Sequence, residues 1–213
     1  MKTPLPPVTA KRLGSNIPRR GHWFLAFLGR LVLRLVGWRI VGVLPDVPKA
    51  VLIGAPHTSN YDGLVGISTI QALRLNVKFL AKDALFEGRK GRVMRWFGGI
   101  PVDRSSATDI VDQVTKAMAH DDFWLGITPE GTRSGAEKWK TGFYRIAQAL
   151  ELPIVVIGFC YRRQQIRVVD TFVPTGNMDA DLERIYDALH DIVPSHPERL
   201  SAPLRFRQLS DRR

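Results

Sequence analysis

Apolar, β-branched and aromatic runs alternate with segments of helical spacing along most of this chain. The runs at 38–45, 49–56, 77–81, 123–128, 153–161 and 166–173 predict strands, and 100–103 a further short extended piece. Between them, helices are predicted over 64–75, 88–99, 106–120, 141–151 and 179–193. Leu64, Ile67, Ile70 and Leu73 recur every three residues. Ile110, Val111, Val114 and Met118 fall on one side of their helix, and Leu182, Ile185, Tyr186, Leu189, Ile192 and Val193 face inward on theirs. Gly98–Gly99 is a stop signal for the 88–99 helix. Such alternation predicts an α/β fold: a single domain with a mixed, largely parallel sheet covered by helices. A length of 213 residues fits one such domain.

One segment stands outside this rhythm. Residues 23–38, WFLAFLGRLVLRLVGW, are apolar except for Arg30 and Arg34, which lie four apart and share a helix face. Charges interrupt the stretch well short of the ~20 apolar residues that span a bilayer, and no small-residue cleavage site follows it. The pattern predicts an amphipathic helix, either lying in a membrane interface with its arginines reaching headgroups and a tryptophan at each end, or packing on the domain with arginines at its rim. Residues 1–40 are therefore expected to form a basic N-terminal segment, and 41–213 the main domain.

Charge sharpens this picture. The formal net charge is +11, and residues 1–45 carry eight Lys and Arg and no acidic residue. The C-terminal Arg205, Arg207, Arg212 and Arg213 add to it. Such termini attract polyanions, and here an anionic membrane surface is favoured over nucleic acid, because the aromatics form an apolar stripe instead of interleaving with the basic residues. The expected location is peripheral, on the cytoplasmic face of a membrane. The one cysteine, Cys160, rules out an internal disulfide and reads as a small core residue. No metal cluster is expected; His120, Asp121 and Asp122 read as a helix end and turn.

Three polar clusters follow strand-like runs. In APHTSNYD (55–62), His57 and Asp62 would be about 140° apart on a continuous helix. They meet only if His57 lies in a turn ahead of a helix begun by Thr58–Asn60, whose side chains are N-cap types. An aspartate bonded to one imidazole nitrogen fixes the tautomer and leaves the other free as a base. In GGIPVDRSS, Gly98 and Gly99 permit close backbone approach to a ligand, and Arg104 suits bidentate phosphate binding or a surface pair with Asp103. In TPEGTRS (128–134), Gly131 permits an anion-holding turn flanked by Glu130 and Arg133; a surface turn with an internal salt bridge is the plainer alternative.

Together, His-x4-Asp, Gly-x-x-x-Asp-Arg, Pro-Glu-Gly-Thr-Arg-Ser and the apolar LPIVVIG resemble the four blocks of the glycerolipid acyltransferases, over residues 50 to 160. The resemblance implies transfer of a fatty acyl group from acyl-coenzyme A or acyl carrier protein to a hydroxyl of a lysophospholipid-like or glycerol-phosphate-like acceptor, with no bound cofactor. It implies His57 as general base and Asp62 as its orienting partner. Arg104 would hold the acceptor phosphate, with Lys82 able to assist. Glu130, Gly131, Thr132 and Arg133 would shape the acceptor site. Pro56 and Thr128 depart from the pattern, which commonly has Asn and Phe there, and leave the acceptor open. A thioesterase using the same pair on water, and a non-catalytic lipid-binding protein, are the alternatives.

Overall fold

A computed structural model describes residues 4–82, 86–102 and 107–210. Seven strands form one sheet: β1 (Arg39–Val41), β2 (Ala50–Ala55), β3 (Val77–Lys82), β4 (Gly99–Val102), β5 (Trp124–Ile127), β6 (Ile154–Cys160) and β7 (Gln165–Phe172). Their spatial order is β1-β7-β6-β2-β5-β3-β4, and every neighbouring pair is parallel except β6 with β7. The helices are α1 (Trp23–Leu35), α2 (Asn60–Leu73), α3 (Gly88–Trp96), α4 (Ala107–His120), α5 (Gly142–Ala149), α6 (Met178–Ala188) and α7 (Ala202–Ser210). The single-domain, largely parallel architecture is the one the alternation predicts.

Both faces of the sheet are covered, which is why its central strands read as unbroken apolar runs. On one face Val51, Ile53, Ile154 and Val156 pack with Phe143, Ile146 and Ile185. On the other, Ala50, Val155 and Ile157 pack with Leu33, Val65 and Leu73. Each fully buried Val, Ile or Leu contributes about 1.5–3 kcal/mol.

The N-terminal segment is built into this second face. Val8 and Ile17 belong to its core, and residues 6–8 run beside β1 with Val8 N–H bonded to Ile40 O at 2.9 Å. Helix α1 lies antiparallel on α2 through Ala26, Gly29 and Leu33. A Cβ at Gly29 would stand 2.6 Å from the Ser68 carbonyl oxygen, so only glycine allows the two backbones this close. The opposite side of α1 exposes Trp23 (66%), Phe24, Phe27, Leu28, Leu31 and Leu35 (76%). Helix α1 thus packs on the domain and also presents an apolar face. Trp38, expected as a second interface anchor, is instead 5% exposed and stacks edge-on against Tyr161 at 4.9 Å. No helix among the described residues is long and apolar enough to cross a membrane.

Three further expectations change. Helix α2 begins earlier than its apolar spacing suggests and buries Val65, Ser68, Thr69, Ala72 and Leu73, leaving Leu64 and Ile67 half exposed. Gly98, at φ +95°, closes α3 over the Val77 carbonyl, and Gly99 makes room for the Phe86 ring, so both have a packing role besides any approach of a ligand. The basic tail is partly structural: Leu200 and Leu204 are buried, and Arg207 pairs with Glu183 and Asp187. Cys160 is buried in the core, while Asp121 and Asp122 pair with Lys78 and Lys49.

Candidate active site

The parallel neighbours β6, β2 and β5 end side by side at the carboxyl edge of the sheet, where open α/β folds place ligands. Beyond β2 the chain passes through Pro56, after a cis Ala55–Pro56 peptide, into His57 and then α2. Ser59 caps that helix. Its side chain accepts from Tyr61 N–H at 3.1 Å, while Asp62 accepts from Ser59 N–H at 2.9 Å, giving a capping box. The same Asp62 oxygen, Oδ2, takes Thr58 N–H at 2.9 Å and His57 Nδ1 at 3.1 Å. Helix initiation and imidazole orientation are therefore one structure. The turn ahead of the helix is what brings His57 and Asp62 together, as the spacing argument requires.

Asp62 is 1% exposed, and its remaining oxygen, Oδ1, accepts from the Tyr161 hydroxyl at 2.5 Å. Burial opposes its ionisation. Hydrogen bonds from His57, Tyr161 and Ser59 outweigh that and hold the carboxyl below its usual range. Burial, then the bond to Asp62, pushes the Tyr161 phenol well up, so it stays a protonated donor. Nδ1 being bonded to Asp62, the Nε2 edge of His57 is the one left for chemistry, and it faces Arg133 Nε at 3.1 Å.

Arg133 and Glu130 arrive on the loop after β5. Glu130, 4% exposed, turns inward, and its Oε2 accepts the His57 backbone N–H at 2.5 Å. Burial raises its pKa, partly offset by the bonds from His57 and Ser201. Glu130 thus braces the histidine's backbone and makes no pair with Arg133. Gly131, at φ +64°, closes the turn with its N–H on Thr128 O at 3.1 Å, so that N–H is already engaged and is not a free anion donor. Thr132 is exposed beside Arg133, its hydroxyl accepting from Ser134 N–H. The backbone of Lys82 closes β3, two strands from β2. Arg104 and Asp103 lie outside the described residues.

Two contributions escaped the sequence reading. Tyr161 has no spacing signal linking it to Asp62, 99 positions away; only the adjacency of β6 and β2 brings them together. From near the C-terminus, His196 N–H bonds the Thr58 hydroxyl at 3.2 Å and the Trp139 indole bonds Ser201 at 2.9 Å, backing both loops from beneath.

A comparison with curated proteins found no match. Among solved structures, the chain is similar to the crystal structure of the 1-acyl-sn-glycerophosphate (LPA) acyltransferase PlsC from Thermotoga maritima. The TM-score is 0.54 at 14% identity, covering 89% of this chain and 79% of that one. At that identity the likeness concerns the fold. The family model described as Acyltransferase matches residues 42–160, which take in His57, Asp62, Glu130 and Arg133. With more than half of its sequence covered by that match, the chain belongs to the acyltransferase family.

Proposed function

We propose that the protein moves a fatty acyl group from an acyl thioester, acyl-coenzyme A or acyl carrier protein, to a hydroxyl of a lysophospholipid-like or glycerol-phosphate-like acceptor. The observation that carries this reading is the placement of a guanidinium against the free edge of an aspartate-oriented imidazole. A base and a phosphate ligand sharing one small space suit an acceptor that bears both a hydroxyl and a phosphate. The PlsC likeness points the same way for the acceptor class.

In this mechanism the acceptor phosphate draws Arg133 off His57, with Arg104 and Lys82 as further cations for it. His57 Nε2 then takes the hydroxyl proton as the oxygen attacks the thioester carbonyl. The tetrahedral intermediate collapses with cleavage of the C–S bond, and the departing thiolate recovers the proton from the imidazolium. Asp62 stabilises that imidazolium and keeps the tautomer fixed. The enzyme supplies no nucleophile of its own. Glu130 holds the His57 backbone in place throughout.

We also propose that the protein works at an anionic membrane surface, on the cytoplasmic side, through the exposed face of α1. Six large apolar residues on one short helix, within a basic N-terminal segment, support this. Thiol release from palmitoyl-coenzyme A, with and without lysophosphatidate, other lyso-lipids and polyols, tests the reaction. Release should require both an acceptor and His57. Release that depends on His57 but ignores every acceptor would make the protein a thioesterase, and lipid binding with no release from either palmitoyl-coenzyme A or palmitoyl-acyl carrier protein would make it a lipid-binding protein. Sedimentation with phosphatidylglycerol vesicles tests docking, and Phe24→Ser with Phe27→Ser should abolish it.

A further inference from the structure

A second concave feature lies away from the His57 site. Between residues 4–10, α1 and β1 runs a cleft of about 1170 Å³, beyond the ~300–1,000 Å³ of an ordinary small-molecule pocket. Its lining includes the exposed Leu5 and the half-buried Ile40, above the buried Leu33 and Trp38, with Arg30, Arg34, Arg39 and Arg163 around them. Among the described residues, Arg34, Arg39 and Arg163 form no ion pair, and Arg30 donates only to the Ala72 carbonyl. The one acidic lining residue, Asp191, is paired with Arg167 at 2.8 Å. The cleft is therefore an apolar surface flanked by cations that have no protein counter-charge.

We propose that this cleft binds a single anionic phospholipid, its phosphate among the arginines and its acyl chains on the apolar lining. The chemistry selects that occupant. Inorganic phosphate would leave the apolar surface uncovered. A nucleic acid or the adenine of a coenzyme would want an aromatic platform, and the one aromatic ring lining the cleft, Trp38, is buried against Tyr161. The volume of about 1170 Å³ exceeds the space a lone headgroup needs.

This is a different site from the reacting one. His57, Asp62, Glu130 and Arg133 take no part in the lining. Trp38 separates the two, lining the cleft while stacking on the tyrosine that holds Asp62. A lipid in the cleft would lie beside the apolar face of α1, which contributes Arg30, Leu33 and Arg34 to it. The inference uses only the cleft and stands whether or not α1 docks on a bilayer.

The test is calorimetric titration of the full chain with dioctanoyl phosphatidylglycerol below its critical micelle concentration. Dioctanoyl phosphatidylcholine, coenzyme A and inorganic phosphate are titrated in parallel. The anionic lipid should bind at one site, with the choline lipid at least about tenfold weaker, since charge-assisted contacts to Arg are the strong ones. Arg34→Gln, Arg39→Gln and Arg163→Gln should each weaken binding several-fold, and the triple variant should abolish it at unchanged Tm. His57→Ala should bind as the parent does. Equal affinity for both lipids, or indifference to all three substitutions, would overturn the proposal. Coenzyme A displacing the lipid through the same arginines would overturn it in favour of a donor site.

Discussion

Replacing Tyr161 with Phe removes one hydroxyl and leaves the ring, and with it the stacking on Trp38. The lost bond is the one recorded to Asp62 Oδ1, made to a charged and wholly buried acceptor. Hydrogen bonds to charged groups contribute about 1.5–3 kcal/mol. For a chain of this size, that lowers Tm by about 2–4 °C per kcal/mol, so by roughly 3–12 °C. Were all of the energy felt in the transition state, the rate would fall about 10- to 150-fold. Three N–H donors still hold Oδ2, so the expected loss is at the lower end, about tenfold in kcat with KM little changed.

The pH dependence has a definite sign. In the folded chain Asp62 titrates below its ordinary value, so its share of stability is complete above that value and is lost as pH falls through the folded pKa. The phenylalanine variant forfeits part of that share. Its stability deficit should be full at pH 6–7 and narrow below about pH 4. Urea unfolding across that range, with thiol-release kinetics at neutral pH, reads both effects. A lowered Tm with unaltered kcat would show that the tyrosine only supports the fold. Parental values of both would refute the reasoning.

Asp62→Asn should cost about 10³–10⁴ in kcat, the scale of losing the orienting carboxylate of such a pair. It also weakens four hydrogen bonds to a buried carboxylate, so its destabilisation should be at least that of Tyr161→Phe, about 1.5–3 kcal/mol; thiol release and a thermal melt check the two. Glu130 titrates above its ordinary value because it is buried, so its contribution is present at low pH and is lost as pH rises through the folded pKa. Glu130→Gln does not titrate, and its stability relative to the parent should improve between pH 4.5 and pH 8 in urea unfolding; parallel curves would contradict this. Gly29→Ala places a methyl group 2.6 Å from the Ser68 carbonyl and should destabilise by about 1–3 kcal/mol through separation of α1 and α2. An unchanged melt would mean the helices part without cost.

Strands β2, β5 and β6 were legible because burial on both faces leaves no polar interruption. The pairing of His57 with Asp62 was legible because Ser-x-x-Asp starts a helix at a fixed place. Helix α2 was harder. Its apolar residues lie on two sides, and the side that faces α1 is made of small residues, Ser68 and Ala72, matched to Gly29, which hydrophobic spacing undervalues. Helix α7 is only nine residues long and sets Arg205 and Arg207 among its apolar positions, so a tail docked by Leu200 and Leu204 reads as a basic extension. Tyr161 was invisible for a different reason: its role depends on strand order, and order is a property of the sheet.

That order has a consequence for how the chain becomes active. The groups around the imidazole follow three strands that are adjacent in space but occupy positions 50–55, 124–127 and 154–160 in sequence. No early segment contains the site, and loops of some seventy and a hundred residues must close before it exists. Recovery of thiol release during refolding should therefore trail the recovery of helical signal, and activity becomes a clock for the pairing of β6 onto β2.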